Sequence, residues 1–204
     1  MSNGTVYIID DEYEVRLTLE NIFRFAGFEI KSFATAKEAL TQELKTIDSC
    51  IVLDLNMPDM GGLKFQQKLH EMGVQIPIVV YTGKADVNSA VMAMSDGAFT
   101  LVQKPAPNHV LVENVLQAIT NFKLTESHRR QCREAHKALE TLTHRELEIA
   151  ELVANGFTAS QVADKLFISA RTAEAHKASI FHKLQLKSVA LLAQLVLLAD
   201  MVEH

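Results

Sequence analysis

Short apolar runs rich in β-branched residues alternate with amphipathic stretches through residues 1–122, which predicts an α/β fold, a doubly wound parallel sheet built from five βα units. The strands are expected at Thr5–Ile9, Phe28–Ser32, Cys50–Leu55, Pro77–Tyr81 and Phe99–Val102, and the helices at about 14–26, 36–44, 62–72, 87–95 and 108–122. Residues 123–140 contain no Gly or Pro and are mostly polar. They read either as an exposed helix with charge pairs such as Glu134 with Lys137 or as a solvated linker.

From residue 141 to 204 the period is helical and no strand is expected, so this region reads as an all-α unit of four helices, at about 143–154, 158–165, 169–184 and 188–202. Thr143 followed by Glu146 forms a capping box, and Ser169 marks another helix start. The domain plan is therefore 1–122, a connecting segment 123–140, and 141–204.

At 204 residues the chain has room for two cores. With 48% apolar and 22% charged residues and no uncharged apolar run long enough to span a bilayer, no membrane association and a cytoplasmic location are expected. Its two cysteines, Cys50 and Cys132, fall in different segments without metal-ligand spacing, so neither a disulfide framework nor a zinc site is expected. The net charge of −5 is uneven: residues 1–122 carry 9 Lys+Arg against 15 Asp+Glu, whereas 141–204 carry 6 against 7.

The acidic residues of the first region are placed where chemistry is expected. Asp10 and Asp11 follow the first apolar run, Asp54 follows the third, Thr82 ends the fourth, and Lys104 follows the fifth. In an open parallel sheet these carboxyl ends converge on one crevice. Carboxylates crowded there call for a divalent cation, and Mg2+ suits an all-oxygen shell of Asp10, Asp11, Asp54 and the main-chain oxygen of Asn56. Phosphoryl transfer to a carboxylate needs such a metal, a cation such as Lys104 and a hydroxyl donor such as Thr82. The plainer alternative is that acidic residues merely end strands and a lysine neutralises them. The Lys104-Pro105 bond is a candidate cis peptide. Lys84, two residues after Thr82, is placed to influence water access to the site.

On these residues, 1–122 resembles the CheY-like receiver domain of two-component response regulators. The resemblance implies phosphorylation on Asp54 by a sensor histidine kinase, Thr82 and Lys104 as the switch and phosphoryl contacts, and the acidic pair Asp10 and Asp11 at the metal. One departure is Leu101, which stands where the family usually has the Tyr or Phe that swings with the switch hydroxyl. Phe99, two residues earlier, is expected on the same strand face by period two.

Residues 142–188 are similar to the LuxR/NarL-type helix-turn-helix, through Leu142-Thr143, Arg145-Glu146, Gly156, Val162-Ala163, Leu166, Ile168-Ser169, Thr172, Glu174, His176-Lys177, Ile180 and Lys183-Leu184. Joined to a receiver, this resembles a FixJ/NarL-type transcription regulator. Helical spacing turns Ala173, Ile180 and Leu184 inward and Arg171, Glu174, Ala175, Ala178 and His182 outward. Glu174, Ala175 and Ala178 are the candidate base contacts. Lys165, Arg171, Thr172, Lys177 and Lys183 complete the expected DNA-binding set, the phosphate role of Lys177 coming from the resemblance. The last helix is apolar on more than one face, so Leu191, Leu195 and Leu198 are expected to make a dimer contact.

The expected function is that of a response regulator whose phosphorylation promotes a homodimer on promoter DNA and engages the transcription machinery. It is not expected to act as an enzyme beyond forming and losing its own acylphosphate. A rival, a phosphatase with an aspartyl nucleophile, would show Asp-x-Asp-x-Thr after its strand, but Asn56 occupies the second position. A second rival is a constitutive DNA-binding protein whose receiver serves only as a dimerisation module.

Overall fold

The sheet of the first unit has the strand order β2-β1-β3-β4-β5, all parallel, with β1 Thr5–Ile9, β2 Glu29–Phe33, β3 Ser49–Leu53, β4 Ile78–Thr82 and β5 Thr100–Gln103. The computed structural model describes residues 3–83 and 87–201. β1, β3 and β4 are buried along their whole length, as their near-continuous Val and Ile content requires of parallel strands covered on both faces.

Alternate residues feed two cores. Tyr7, Ile9, Leu53 and Val80 pack on one face against helices α2 Ala36–Leu40, α3 Gly62–Glu71 and α4 Val87–Ser95. Val6, Ile8, Val52 and Val79 pack on the other against α1 Tyr13–Phe25 and the first half of α5 Asn108–Leu139. This is the doubly wound sheet expected from the alternation of strand and helix patterns.

Several boundaries move by one residue. β4 begins after Pro77, which has no N–H to donate, although its carbonyl still accepts from Ile51 N at 2.9 Å. α2 is much shorter than 36–44: the Thr41 hydroxyl donates to the Glu38 carbonyl at 2.7 Å and the helix stops at Leu40.

The segment 123–140 is helical as far as Leu139, continuing α5 through the division between two compact units at Leu124 and Thr125. Ion pairs one turn apart line it, Arg129 with Glu126 at 2.9 Å and Arg130 with Glu134 at 3.8 Å. Glu134 thus pairs with Arg130 and not with Lys137, because the i,i+4 geometry brings that guanidinium alongside.

The second unit contains α6 His144–Ala154, α7 Ala159–Leu166, α8 Ala170–Lys183 and α9 Val189–Asp200. Thr143 with Glu146 and Thr158 with Gln161 close capping boxes, and Ser169 and Ser188 cap α8 and α9. Their apolar stripes meet around Ile149, Val162, Ala173, Ile180, Leu192 and Val196, joined by Ala135 and Leu139 from the end of α5. Both cysteines are buried free thiols, and among the described residues no helix is long and apolar enough to cross a membrane.

Gly62 shows how tightly the chain turns after β3. A Cβ there would lie 2.5 Å from the Asp54 carbonyl oxygen and 2.9 Å from Leu55 Cα. Gly62→Ala is expected to destabilise the first unit by about 1–3 kcal/mol, measurable as a lower midpoint in urea unfolding. An unchanged midpoint would mean that the turn relaxes freely.

Candidate functional site

The strand ends bring the expected residues together. Asp10 follows β1, Asp54 follows β3, Thr82 ends β4 and Lys104 follows β5, so one edge of the sheet presents all four side chains. Asp10 is 2% exposed, Asp54 4% and Thr82 0%. Lys104 Nζ donates to Asp10 Oδ2 at 2.6 Å and to Asp54 Oδ2 at 2.9 Å, and lies 3.7 Å from Glu12 Oε1. The Lys104-Pro105 bond is cis.

The remaining carboxylate oxygens are also held. Asp10 Oδ1 accepts from Glu12 N at 2.9 Å, and Asp54 Oδ1 accepts from Asn56 N at 3.1 Å. Asn56 Nδ2 donates to Thr82 Oγ1 at 3.0 Å, linking the turn after Asp54 to the hydroxyl at the end of β4. Burial raises the Asp10 pKa, with the Lys104 bond opposing it. Burial also works against the Lys104 ammonium, but its bonds to Asp10 and Asp54 prevail and hold its pKa above the ordinary lysine value. Burial likewise pushes up the Cys50 thiol, leaving it a core residue rather than a nucleophile.

Asp10, Glu12 and Asp54 place carboxylate oxygens within 4.8 Å of one another. Asp11, selected from sequence as a ligand, is exposed and outside that group, while Glu12, which sequence reading did not select, is inside it. The signal for Glu12 was present in the unbroken acidic run from 10 to 12. Oxygen donors without His or Cys form a hard set that fits Mg2+ better than a softer metal. Lys84 lies outside the described residues.

At the usual position of the switch aromatic, Leu101 packs on the core that contains Tyr7 and Leu53. Phe99 packs on the opposite core, with Val79 and Val102, and is not on the face of Leu101. The period-two expectation fails because β5 begins only at Thr100, so strand alternation does not extend to Phe99.

In the second unit Arg171, Thr172, Glu174, Ala175, Ala178 and His182 are exposed on α8, opposite buried Ala173 and Ile180. Lys177 is half-buried. Lys165 is exposed, and its ammonium stands 4.7 Å from the centroid of the Phe157 ring. Lys183 has a partner within its own unit: its Nζ donates to buried Glu146 at 2.6 Å, and Ser179 Oγ donates to the same carboxylate at 2.9 Å. Sequence reading took Glu146 as a helix cap and missed that it also anchors α8. The three expected dimer leucines divide similarly, since Leu191 is exposed while Leu195 and Leu198 pack partly into their own core. Leu197 on α9 and Met201 just beyond it add exposed apolar surface.

The Lys183 ammonium first, and then the Thr143 backbone, lower the Glu146 pKa from its ordinary 4.5 to about 2. A carboxyl group depressed in the folded state stabilises above pH 4.5, and that contribution disappears as pH falls toward 2. Because Lys183 is partly exposed, the ion pair is worth about 1 kcal/mol. Glu146→Gln is expected to lower stability at neutral pH and flatten the acid limb between those values in thermal scans; an acid limb unchanged from wild type would contradict this.

A parallel sheet carrying this crevice, followed by a helix-turn-helix, defines a signal-receiving unit coupled to a DNA-binding unit. The family model for the response regulator receiver domain matches residues 6–116, and that for bacterial regulatory proteins of the luxR family matches residues 140–196. The transcriptional regulatory protein FixJ of Rhizobium meliloti is 32% identical over 97% of each chain, and nodulation protein W of Bradyrhizobium diazoefficiens is 30% identical over 93% of this chain and 83% of its own. The solved structure of the response regulator StyR covers 95% of this chain and 98% of its own at 32% identity, with a TM-score of 0.79. The chain belongs to the response regulators of two-component systems, as a transcription regulator with a receiver and a LuxR-type DNA-binding domain. Receiver domains bind Mg2+ at an acidic pocket of the kind formed by Asp10, Glu12 and Asp54.

Proposed function

We propose that a sensor histidine kinase phosphorylates this regulator on Asp54, and that the modification pairs two receivers and brings two helix-turn-helix units onto promoter DNA to engage the transcription machinery. The observation that carries this reading is the Asp54 carboxylate, buried at a strand end and held 2.9 Å from Lys104. An Asp54 oxygen attacks the phosphorus of the kinase phosphohistidine. The P–N bond breaks, and its electron pair returns to the imidazole nitrogen, so that a ring protonated on its other nitrogen leaves as neutral imidazole.

Lys104 supplies positive charge to the phosphoryl oxygens, and Thr82, whose oxygen accepts from Asn56, can donate its hydroxyl proton to another. Mg2+, when bound, neutralises phosphoryl charge; its ligands would be Asp10, Asp11, Asp54 and the main-chain oxygen of Asn56, with Glu12 beside them. Exposed Val87, Val91, Met92 and Met94 on α4 and Leu116 on α5 supply apolar surface for receiver pairing. Leu191, with Leu195 and Leu198 at its flank, would extend pairing to α9.

In the second unit, Glu174, Ala175 and Ala178 would reach base edges, with Arg171, Thr172, Lys165 and Lys177 at the phosphates. Lys183 would contribute there only by sharing its ammonium between Glu146 and DNA. The test is solution mass by light scattering, with and without Mg2+ and beryllofluoride, for wild type and Asp54→Asn. A shift from monomer to dimer confined to wild type is expected; no shift would favour a constitutive DNA-binding protein.

A further inference from the structure

With α8 taken as the helix that meets DNA, on which this inference rests, we propose that Phe167, in the turn between α7 and α8, packs its ring on the deoxyribose backbone of duplex DNA. The contact supplies a part of DNA binding that depends on neither base sequence nor salt.

Phe167 closes α7 in the left-handed region, at φ 54° and ψ 44°, and is 95% exposed. Positive φ is an outlier for a bulky side chain. Of the three non-glycine residues that adopt it among the described residues, Asp48, Phe167 and Gln185, only Phe167 is apolar. Its neighbours Leu166 and Ile168 pack on the core of the second unit, and Phe167 does not. Folding therefore gains little from this ring, and glycine would suit the backbone better. The turn is pinned on both sides of it, since Arg145 Nη2 donates to the Leu166 carbonyl at 2.7 Å and Ile168 N donates to the Ala163 carbonyl at 3.0 Å. A ring held out on a fixed turn loses little freedom when a partner covers it.

The place of the turn selects the partner. In a helix-turn-helix the first helix crosses the DNA backbone and the start of the second enters the major groove, so the turn between them meets the sugar-phosphate strand. α7 and α8 hold those places within the residues matched by the luxR family. Exposed Lys165 and Arg171 bracket Phe167, and Asp164 is the only acid between residues 152 and 173. Two cations beside an exposed ring suit a strand that alternates phosphates with apolar sugar faces.

The test measures affinity of the full chain, with Mg2+ and beryllofluoride, across a salt series for two short duplexes of unrelated sequence. Phe167→Gly is expected to bind both about fivefold more weakly. The slope of log affinity against log salt should stay unchanged, because a ring releases no counterions. Its urea midpoint should equal or exceed that of wild type, which separates a lost DNA contact from damage to the fold. Arg171→Ala should instead reduce the slope by about 0.9 for each protomer bound. No binding by wild type, or an unchanged slope in Arg171→Ala, would overturn α8 as the DNA-facing helix and the proposal with it. With the Arg171 response intact, a Phe167→Gly protein that bound DNA like wild type, lost affinity for only one duplex, changed the slope or unfolded at lower urea would overturn the role of Phe167 alone.

Discussion

Asp54→Asn is expected to abolish the gain in promoter affinity that the proposed phosphorylation would give the wild-type protein, a gain of at least about tenfold, or about 1.4 kcal/mol of coupling. The substitution keeps the shape of the side chain but removes the nucleophilic oxygen pair, so no acylphosphate forms. Nothing in the second unit is touched, and basal affinity should stay the same. Comparing DNA binding of the two proteins before and after treatment with a phosphodonor checks this. An Asp54→Asn protein that still gained affinity would place the effect at another residue.

Lys104→Met should produce a larger change in stability than any other substitution at the crevice. It leaves Asp10 and Asp54, both almost fully buried, without the ammonium that bonds to each. Breaking a buried pair by removing one partner costs about 3 kcal/mol. Mg2+ should restore much of that loss, because a divalent cation can neutralise the same carboxylates. Denaturant unfolding of the variant with and without Mg2+ gives the measurement. A variant as stable as wild type without metal would show that solvent already screens the two carboxylates. In the presence of Mg2+ and a phosphodonor, Lys104→Met should still fail to dimerise, since no other described side chain offers a cation to both Asp10 and Asp54.

The two effects arise from one arrangement. Lys104 holds Asp10 and Asp54 in the unmodified receiver, and Asn56 holds Thr82. The proposed phosphoryl group on Asp54 would offer new acceptors to both the ammonium and the hydroxyl. A two-state shift then requires those contacts to outweigh the ones they replace.

Local features of the chain were sufficient for most of the architecture. Alternating runs such as Thr5–Ile9 and Cys50–Leu53 identify buried parallel strands, and the Thr143 and Glu146 spacing marks the start of α6, because both signals depend on neighbouring residues. The crevice residues were legible for a related reason: strand ends in a parallel sheet share one edge, so Asp10, Asp54, Thr82 and Lys104 converge wherever the strands are found. Sequence also placed Arg171, Glu174, Ala175 and Ala178 on the outer face of α8 from helical period alone.

Other features depend on contacts between residues distant in the chain. Glu12 rather than Asp11 joins the carboxylate group, because that group includes Asp54, brought in from the end of β3. Phe99 and Leu101 lie on different cores because hydrogen bonding starts β5 at Thr100, a boundary that side-chain pattern does not specify. Lys183 is drawn to Glu146 across 37 positions, so a lysine that reads as a phosphate contact also ties α8 to α6. The sequence alone determined the elements, the crevice residues and the outer face of α8, because periodicity and the residues that end each strand are local properties. Only the tertiary structure decided which carboxylate, aromatic and lysine occupy each place, because those choices are made by long-range burial and hydrogen bonding.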